Sequence, residues 1–295
     1  MPLAERVTWR QNRHMLTRSS GYLTLTTAPA PAPVESLQAN GYAVLERVFG
    51  DDELTALRAD VERVFDEYPP DQRGNDDAPG HWAPFRYEML NRSAAVQRAV
   101  GHPTILAAIE PLLGEDCHVI ANTAWWQRSG ENDHLGRFWH IDSGPHIPRA
   151  ADVPWDTRIP YPVFAIAAHL FLQDCPIECG PTGVIPGSHT SGQSPPRKQL
   201  NDDALEWNGH GVKPIVAQAG DVALFVSDVW HRRLPPGPGD PGRMFVQCHY
   251  GRRDIAQRLR PTSAVNHLSD EALSRAETAR DKSLVGYHPL SFYDG

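Results

Sequence analysis

Apolar residues recur along this chain in two rhythms, and each predicts its own elements. Leu54, Leu57, Val61, Val64 and Phe65 fall at helical spacing, with Glu62, Arg63, Asp66 and Glu67 on the other side. That stripe predicts an amphipathic helix packed on a core, capped by Asp51 or Asp52 and stopped after about Tyr68 by Pro69-Pro70. Ser93 is expected to cap a short helix, and Pro103 to open another that carries Ile105, Leu106 and Ile109. Pro111 should kink or end that helix, and Gly114 stop it at the latest. Ser269, followed by Asp270 and Glu271, opens a last helix to about Lys282. Strands are expected at residues 42–45, after the turn Asn40-Gly41, and at 119–127. Residues 163–172 are nearly all apolar and read as a buried central strand. Residues 212–217 and 221–226 read as strands joined at Ala219-Gly220, and 244–250 as another.

Composition fits that picture. With 27 prolines and 23 glycines in 295 residues, turns and loops are favoured over long helices, as in a mostly β core with α embellishments. The alternating Ala-Pro run 28–33 reads as a spacer, so residues 1–33 are expected to be a flexible tail and 34–295 a single domain. Arg6, Arg10, Arg13 and Arg18 make that tail basic, which fits a disordered arm better than a transit peptide. The net charge of -8 argues against a general nucleic-acid binder. No run approaches the ~20 apolar residues of a membrane span. The four cysteines form no Cys-x-x-Cys, which leaves a structural zinc site unsupported, and they read as reduced, hence a cytoplasmic protein.

The chemistry centres on Arg137-Phe138-Trp139-His140-Ile141-Asp142, expected as a short strand. Residues two apart on a strand face the same side, so His140 and Asp142 present an imidazole and a carboxylate from one backbone. These are two members of the two-histidine, one-carboxylate triad of non-haem Fe(II) sites. The third must be a histidine farther along, and His231, after the 221–226 strand, is chosen from the 14 in the chain. The Pro- and Gly-rich loop 234–242 then leads into the next strand. The two strands are expected to form a hairpin-like pair, bringing Arg243 near the metal on the face that carries Phe245, Gln247 and His249. A guanidinium grips carboxylate bidentately, so Arg243 suits a dicarboxylate co-substrate. Arg232, Arg233, Arg252 and Arg253 stand in adjacent pairs of the kind that face solvent. His134, His146, His169, His189 and His249 read as structural or surface histidines. The Pro-rich stretch 143–162, directly after two expected ligands, reads as a lid.

Over about residues 39–251 the chain resembles the phytanoyl-CoA dioxygenase family of Fe(II)/2-oxoglutarate-dependent oxygenases. The resemblance rests on Asn40-Gly41-Tyr42-Ala43-Val44-Leu45 with the helix after it, and on Trp139-His140-Ile141-Asp142. It rests further on Leu172-Gln173-Asp174 and on Cys179-Gly180-Pro181-Thr182-Gly183-Val184-Ile185-Pro186-Gly187-Ser188-His189, whose Pro-Gly-Ser-His end is the most telling. Gly220-Asp221, His231 and Arg243 resemble the second half of the family's site. Two residues depart from the pattern. Cys179 stands where asparagine is usual, and Arg233 stands where a small hydroxyl residue often helps hold 2-oxoglutarate.

The resemblance implies a double-stranded β-helix, or jelly roll, with flanking helices. It implies Fe(II) held by His140, Asp142 and His231, with 2-oxoglutarate and O2 taking the three remaining positions. The far carboxylate of 2-oxoglutarate would pair with Arg243, with Gln127 on a neighbouring strand as a second contact. The expected activity is hydroxylation, or another oxidation, of a small molecule in secondary metabolism. Asp142 fills the place that halogenating relatives leave open for chloride, so oxygenation is expected rather than halogenation. Two alternatives are a non-catalytic jelly-roll binding protein and a same-fold iron enzyme that does not use 2-oxoglutarate. The intact His140, Asp142, His231 and Arg243 stand against the first, and Arg243 against the second. Trp125, Trp126, His146 and Trp155, near the expected mouth, admit almost any mid-sized ligand, and no basic cluster is placed for the phosphates of a CoA ester.

Overall fold

The structure is a computed structural model that describes residues 15–19, 22–26, 30–70, 84–129, 137–142, 144–255 and 268–288. Strands β1 (Met15–Ser19) and β2 (Tyr22–Thr26) pair as an antiparallel hairpin within the stretch expected as a tail. Helix α1 (Ala32–Asn40) starts inside the Ala-Pro run that was expected as a spacer. Its Pro33 stands in the first turn, where the missing N–H has no helical partner to lose. Gly41 then turns the chain in the left-handed region (φ 80°), and a Cβ there would press on His189 Nδ1 at 2.7 Å. Strand β3 (Tyr42–Leu45) follows.

Helix α2 (Asp51–Glu67) buries Leu54, Leu57, Val61 and Val64, as the spacing requires. Its cap is Gly50, whose N–H donates to Glu53 Oε2 at 3.1 Å. Asp51 and Asp52, expected as the cap, stand instead in the first turn, where negative charge complements the helix dipole. Next come β4 (Phe85–Tyr87), α3 (Met89–Arg92), α4 (Ala94–Val100) and α5 (Pro103–Leu113). Ser93 Oγ caps α4 by accepting from the Val96 N–H at 3.0 Å. The helix α5 continues two residues past Pro111 and ends at Gly114.

The strands that build the site are β5 (His118–Arg128), β6 (Ala165–Phe171), β7 (Thr182–Val184), β8 (Lys213–Pro214), β9 (Val222–Val226), β10 (His231–Arg233) and β11 (Gly242–Gly251). Helices α6 (Asp270–Ser274) and α7 (Ala279–Leu284) close the described chain. One helix was expected there. A second cap divides it, because Thr278 Oγ1 accepts from the Asp281 N–H while Asp281 Oδ2 accepts from the Thr278 N–H. The expected 212–217 strand shrinks to β8, whose Pro214 has no N–H to donate to a ladder.

A six-stranded antiparallel sheet runs in the order β3-β9-β6-β11-β5-β4, and a three-stranded one in the order β10-β7-β8. His231 and Arg243 therefore lie in different sheets and do not form the expected hairpin-like pair. β10 pairs with β7, and β11 with β5 and β6. The two sheets enclose Ala167, Phe171, Val184, Phe225 and Phe245 as one apolar cluster. The other face of the large sheet packs Ile166, Leu170, Leu224, Val246 and Tyr250 against helices α1, α2, α4 and α5. This is a jelly roll with helices outside. Among the described residues, no helix is long and apolar enough to cross a membrane. All four cysteines are buried and free.

Candidate metal centre

The segment 137–142 is not a strand beyond one residue. The Trp139 N–H is drawn to Leu200 O at 2.8 Å, and only His140 pairs, in an isolated bridge with His231. That bridge carries two backbone hydrogen bonds, each 3.0 Å long, and fixes the two histidines side by side. Their ring centroids are 4.3 Å apart. The Asp142 N–H donates to Ser227 O at 3.1 Å, which ties the carboxylate to the same stretch that leads into His231. One ligand atom each from His140, Asp142 and His231 lies within 4.8 Å of the others. The three residues chosen from sequence thus converge, although the hairpin expected to bring Arg243 beside them does not exist.

Each imidazole is held by its Nδ1. His140 Nδ1 donates to Phe138 O at 2.6 Å and His231 Nδ1 to Val229 O at 3.0 Å. These bonds assign the proton to Nδ1 and leave Nε2 as the lone-pair donor. His231 Nε2 lies 3.4 Å from Asp142 Oδ1. Asp142 Oδ2 is buried and accepts no hydrogen bond from the described residues, although His249 Nδ1 stands 3.7 Å away. A buried carboxylate oxygen without a donor is costly unless a cation completes it. Burial works to raise the Asp142 pKa, but the charges of His231, His249 and His140 outweigh it and hold the group well below the usual carboxylate range. For His231, burial pushes down while Asp142 pushes up, and Asp142 prevails. Two nitrogen donors and one carboxylate oxygen match the donor set of a facial Fe(II) site.

The segment Pro186-Gly187-Ser188-His189 positions this centre without entering it. Ser188 Oγ donates to Ile185 O at 2.7 Å and accepts the Trp230 N–H at 2.8 Å, one residue before His231. His189 Nε2 donates to Gln38 O at 3.1 Å, which braces α1. Burial lowers its pKa to about 4, so it stays neutral.

Arg243 and Gln127 face each other across β11 and β5, both buried and on the inner face. Arg243 Nη1 donates to Gly180 O at 3.4 Å. Gly180 is in the left-handed region, and a Cβ there would clash with Leu234 O. Beside Arg243, Phe245 stacks on Trp125 at 5.9 Å, and Trp125 Nε1 donates to Gln247 Oε1 at 2.9 Å.

Sequence reasoning read four residues of this interior as having no part in the site or left them unread, although it set His249 on the face of Arg243. His249 alternates with Phe245 and Gln247 on β11, so its inward face was legible. His169 lies on β6 opposite Gln247, with its ring 4.5 Å from Phe245 and 5.0 Å from Phe225. Burial first, and then the charge of Arg243, hold it neutral. The third is Arg233. It was expected on a solvated face with Arg232, yet each is only 4% exposed. Arg232 points outward, over the Trp139 ring at 4.8 Å and paired with Asp203. Arg233 points the other way, on the face of His231. The fourth is Asp228. Its Oδ2 accepts the His146 N–H at 3.0 Å and the Tyr161 hydroxyl at 3.2 Å, and its Oδ1 pairs with His146 Nδ1. The expected lid, which forms neither helix nor strand over the described residues 144–162, is thereby tied at both ends to a point three residues before His231. His134 and Ser143 lie outside the described residues.

Solved structures share this architecture. EctD from S. alaskensis, solved with 2-oxoglutarate and 5-hydroxyectoine, is 18% identical with a TM-score of 0.61, over 82% of this chain and 83% of that one. The epimerase SnoN, in complex with Fe3+, alpha ketoglutarate and nogalamycin RO, is 17% identical with a TM-score of 0.58, over 81% of this chain and 95% of that one. HygX from Streptomyces hygroscopicus, with nickel and 2-oxoglutarate bound, is 17% identical with a TM-score of 0.55, over 82% of this chain and 99% of that one. At such identities the likeness establishes the fold. The family is established by sequence: the model of phytanoyl-CoA dioxygenase (PhyH) matches residues 37–233, from α1 through both histidines of the centre to the end of β10, and the chain belongs to that family.

Proposed function

We propose that this protein is an Fe(II)- and 2-oxoglutarate-dependent oxygenase that hydroxylates a small molecule. His140, Asp142 and His231 are its metal ligands, and Arg243 anchors the far carboxylate of the co-substrate. The observation that carries this reading is the convergence of three ligand atoms within 4.8 Å, with both imidazoles fixed through Nδ1 so that Nε2 is available. Family membership and the 2-oxoglutarate in the solved EctD and HygX support it. Bound iron, with 2-oxoglutarate and O2, would supply the oxidising chemistry, giving succinate, carbon dioxide and hydroxylated product.

The chain's own residues prepare that chemistry. The Phe138 and Val229 carbonyls hold the rings in the ligating tautomer. Asp142 remains ionised, and because it fills the carboxylate place the reading is hydroxylation, not halogenation. Arg243, with Gln127 beside it as a second contact, binds a carboxylate by charge-assisted hydrogen bonds. Phe225, Phe245 and Trp125 give the interior apolar walls, and the lid held by Asp228 excludes water over the site.

The test is anaerobic titration of the iron-free protein with Fe(II) and then 2-oxoglutarate, followed in the visible. A weak metal-to-ligand charge-transfer band is the expected result. Iron binding without the band would favour an iron enzyme that does not use 2-oxoglutarate. Absence of iron binding would sink the metal assignment and leave a jelly-roll binding protein.

A further inference from the structure

The inner face of the large sheet is banded. Register sets the bands, because residues paired across neighbouring strands put their side chains next to one another on one face. The first band is Arg243 with Gln127. The second is wholly aromatic: Phe171, Phe245, Trp125 and Phe85 stand in register on the adjacent strands β6, β11, β5 and β4. The third is His169, Gln247, Thr123 and Tyr87, in register on the same strands. The fourth is Ala167, His249 and Ala121, where His249 Nδ1 stands 3.7 Å from Asp142 Oδ2. The short alanine side chains leave room beside the metal ligands, and the polar third band borders that room.

Three side chains of the third band end on polar atoms that no described residue uses. Gln247 Oε1 accepts the Trp125 Nε1–H at 2.9 Å. An indole nitrogen only donates, so this bond fixes which way the amide faces and leaves the Nε2 donors of Gln247 without a described acceptor. Thr123 is 7% exposed, and its hydroxyl makes no hydrogen bond to a described residue. His169 is 6% exposed, and its Nε2 is buried without a partner. Buried polar atoms without partners are costly, and a row of them facing one space fits a ligand that completes them. None of the three is charged, since burial first and then Arg243 keep His169 neutral. The band thus offers no cation to either carboxylate of 2-oxoglutarate.

We propose that His169, Gln247 and Thr123 form the subsite that holds the small-molecule substrate, and that this substrate joins an uncharged polar group (an amide, carbonyl or hydroxyl) to an apolar body. The inference rests on the function proposed above and names the substrate class for it. The polar group sits on the third band, where the Gln247 amide and the Thr123 hydroxyl supply donors and His169 a donor or an acceptor. The apolar body lies in the room left by Ala121 and Ala167, which brings one of its carbons beside the metal. Holding one end by hydrogen bonds in this way fixes which carbon is presented. A charged group in the same place loses its hydration and meets no counter-charge in the band.

The probes are benzamide and benzyl alcohol, which carry an uncharged polar group, with toluene, benzoate and benzylammonium as apolar and charged counterparts on the same ring. The experiment measures paramagnetic relaxation of the probe protons by protein loaded with Mn(II), with and without 2-oxoglutarate. The wild type should bind benzamide or benzyl alcohol about tenfold more tightly than toluene, in line with one or two net hydrogen bonds, and more tightly than either charged probe. Thr123→Val and Gln247→Met should each erase most of that preference. Both variants should keep the toluene and 2-oxoglutarate affinities within about twofold, in line with loss of hydrogen bonds to the polar group alone, which also reports that fold and metal site survive. The proposal falls if the wild type does not discriminate among the probes, or if none of them is relaxed. It falls too if the variants weaken 2-oxoglutarate as strongly as benzamide, because the band then serves the co-substrate. Equal weakening of toluene and benzamide would make the band scaffold and overturn the proposal as well. If 2-oxoglutarate does not bind the Mn(II) protein while the probe preference stands, the co-substrate reading fails and the substrate subsite survives it.

Discussion

Strand β11 separates two regions that both bury side chains and are chemically opposite. Met244, Val246, Cys248 and Tyr250 point to the helices and belong to the larger apolar core. Arg243, Phe245, Gln247 and His249 alternate with them and point between the sheets. Val246 is fully buried and Arg243 is 6% exposed, while Gln247 and His249 are half-buried, so burial alone does not separate the faces. What differs is what each face does with its polar groups. The outer face has almost none, and the Tyr250 hydroxyl is satisfied by Val100 O at 2.7 Å. The inner face gathers His169, Gln127, Arg243, Arg233 and the His140–Asp142–His231 group. An interior that buries so many charged and titratable groups trades stability for a binding site.

The strongest test of that division removes a proposed ligand. His140→Ala or Asp142→Ala should abolish iron binding and iron-dependent turnover, while circular dichroism and the unfolding midpoint of the iron-free protein stay close to wild type. Loss of the fold with the ligand would show that the inner face is a structural core after all. On the outer face the expectation reverses. Leu170 is fully buried on β6, one residue after His169, and Leu170→Ala should cost roughly 2–5 kcal/mol in denaturant unfolding. The fraction that remains folded should bind iron normally. A Leu170→Ala protein of normal stability that lost iron would erase the distinction between the faces. Between these lies Arg243→Ala, which should leave iron binding intact and raise the 2-oxoglutarate requirement about 10- to 100-fold, as loss of a charged anchor does. An unchanged requirement would mean that another arginine holds the co-substrate.

The outer face was the more legible in sequence, because apolar spacing reports packing directly. Leu54, Leu57, Val61 and Val64 gave α2, and the apolar run 163–172 gave β6. The convergence of His140, Asp142 and His231 was legible for another reason: few residue types bind metal, and a histidine and a carboxylate two apart leave little freedom. What could not be read was pairing between sheets. Nothing in the period of residues 221–250 says that β10 leaves β9 to pair with β7, so Arg243 was assigned to a hairpin that does not form. Arg233 was misread because adjacent arginines suggest a solvated face, whereas a strand sends neighbours to opposite sides and both sides here are covered. Helix α1 was missed because a proline run reads as spacer, although proline in a first turn is compatible with a helix.

The finest division lies within the inner face, between protons and metal at the same atoms. In the iron-free protein Asp142 raises the pKa of His231 above its ordinary 6.5, against the burial that lowers it. The stabilisation from that proton is fully present below about pH 6.5 and is lost as pH rises through the raised value. Asp142, held below its ordinary 3.8, contributes stability above that pH and loses it as pH falls through the depressed value. The iron-free protein therefore gains from the pair in the mildly acid range. As a proposed ligand, His231 must give up its Nε2 proton to bind iron, so stabilisation by Fe(II) should grow as pH rises. The gap in unfolding midpoint between iron-loaded and iron-free protein should widen from pH 6 to pH 8. Asp142→Asn should flatten the acid-side gain of the iron-free protein. A gap that stays constant from pH 6 to 8 would mean that metal and proton do not compete at His231, and the residue would lose its place as a ligand.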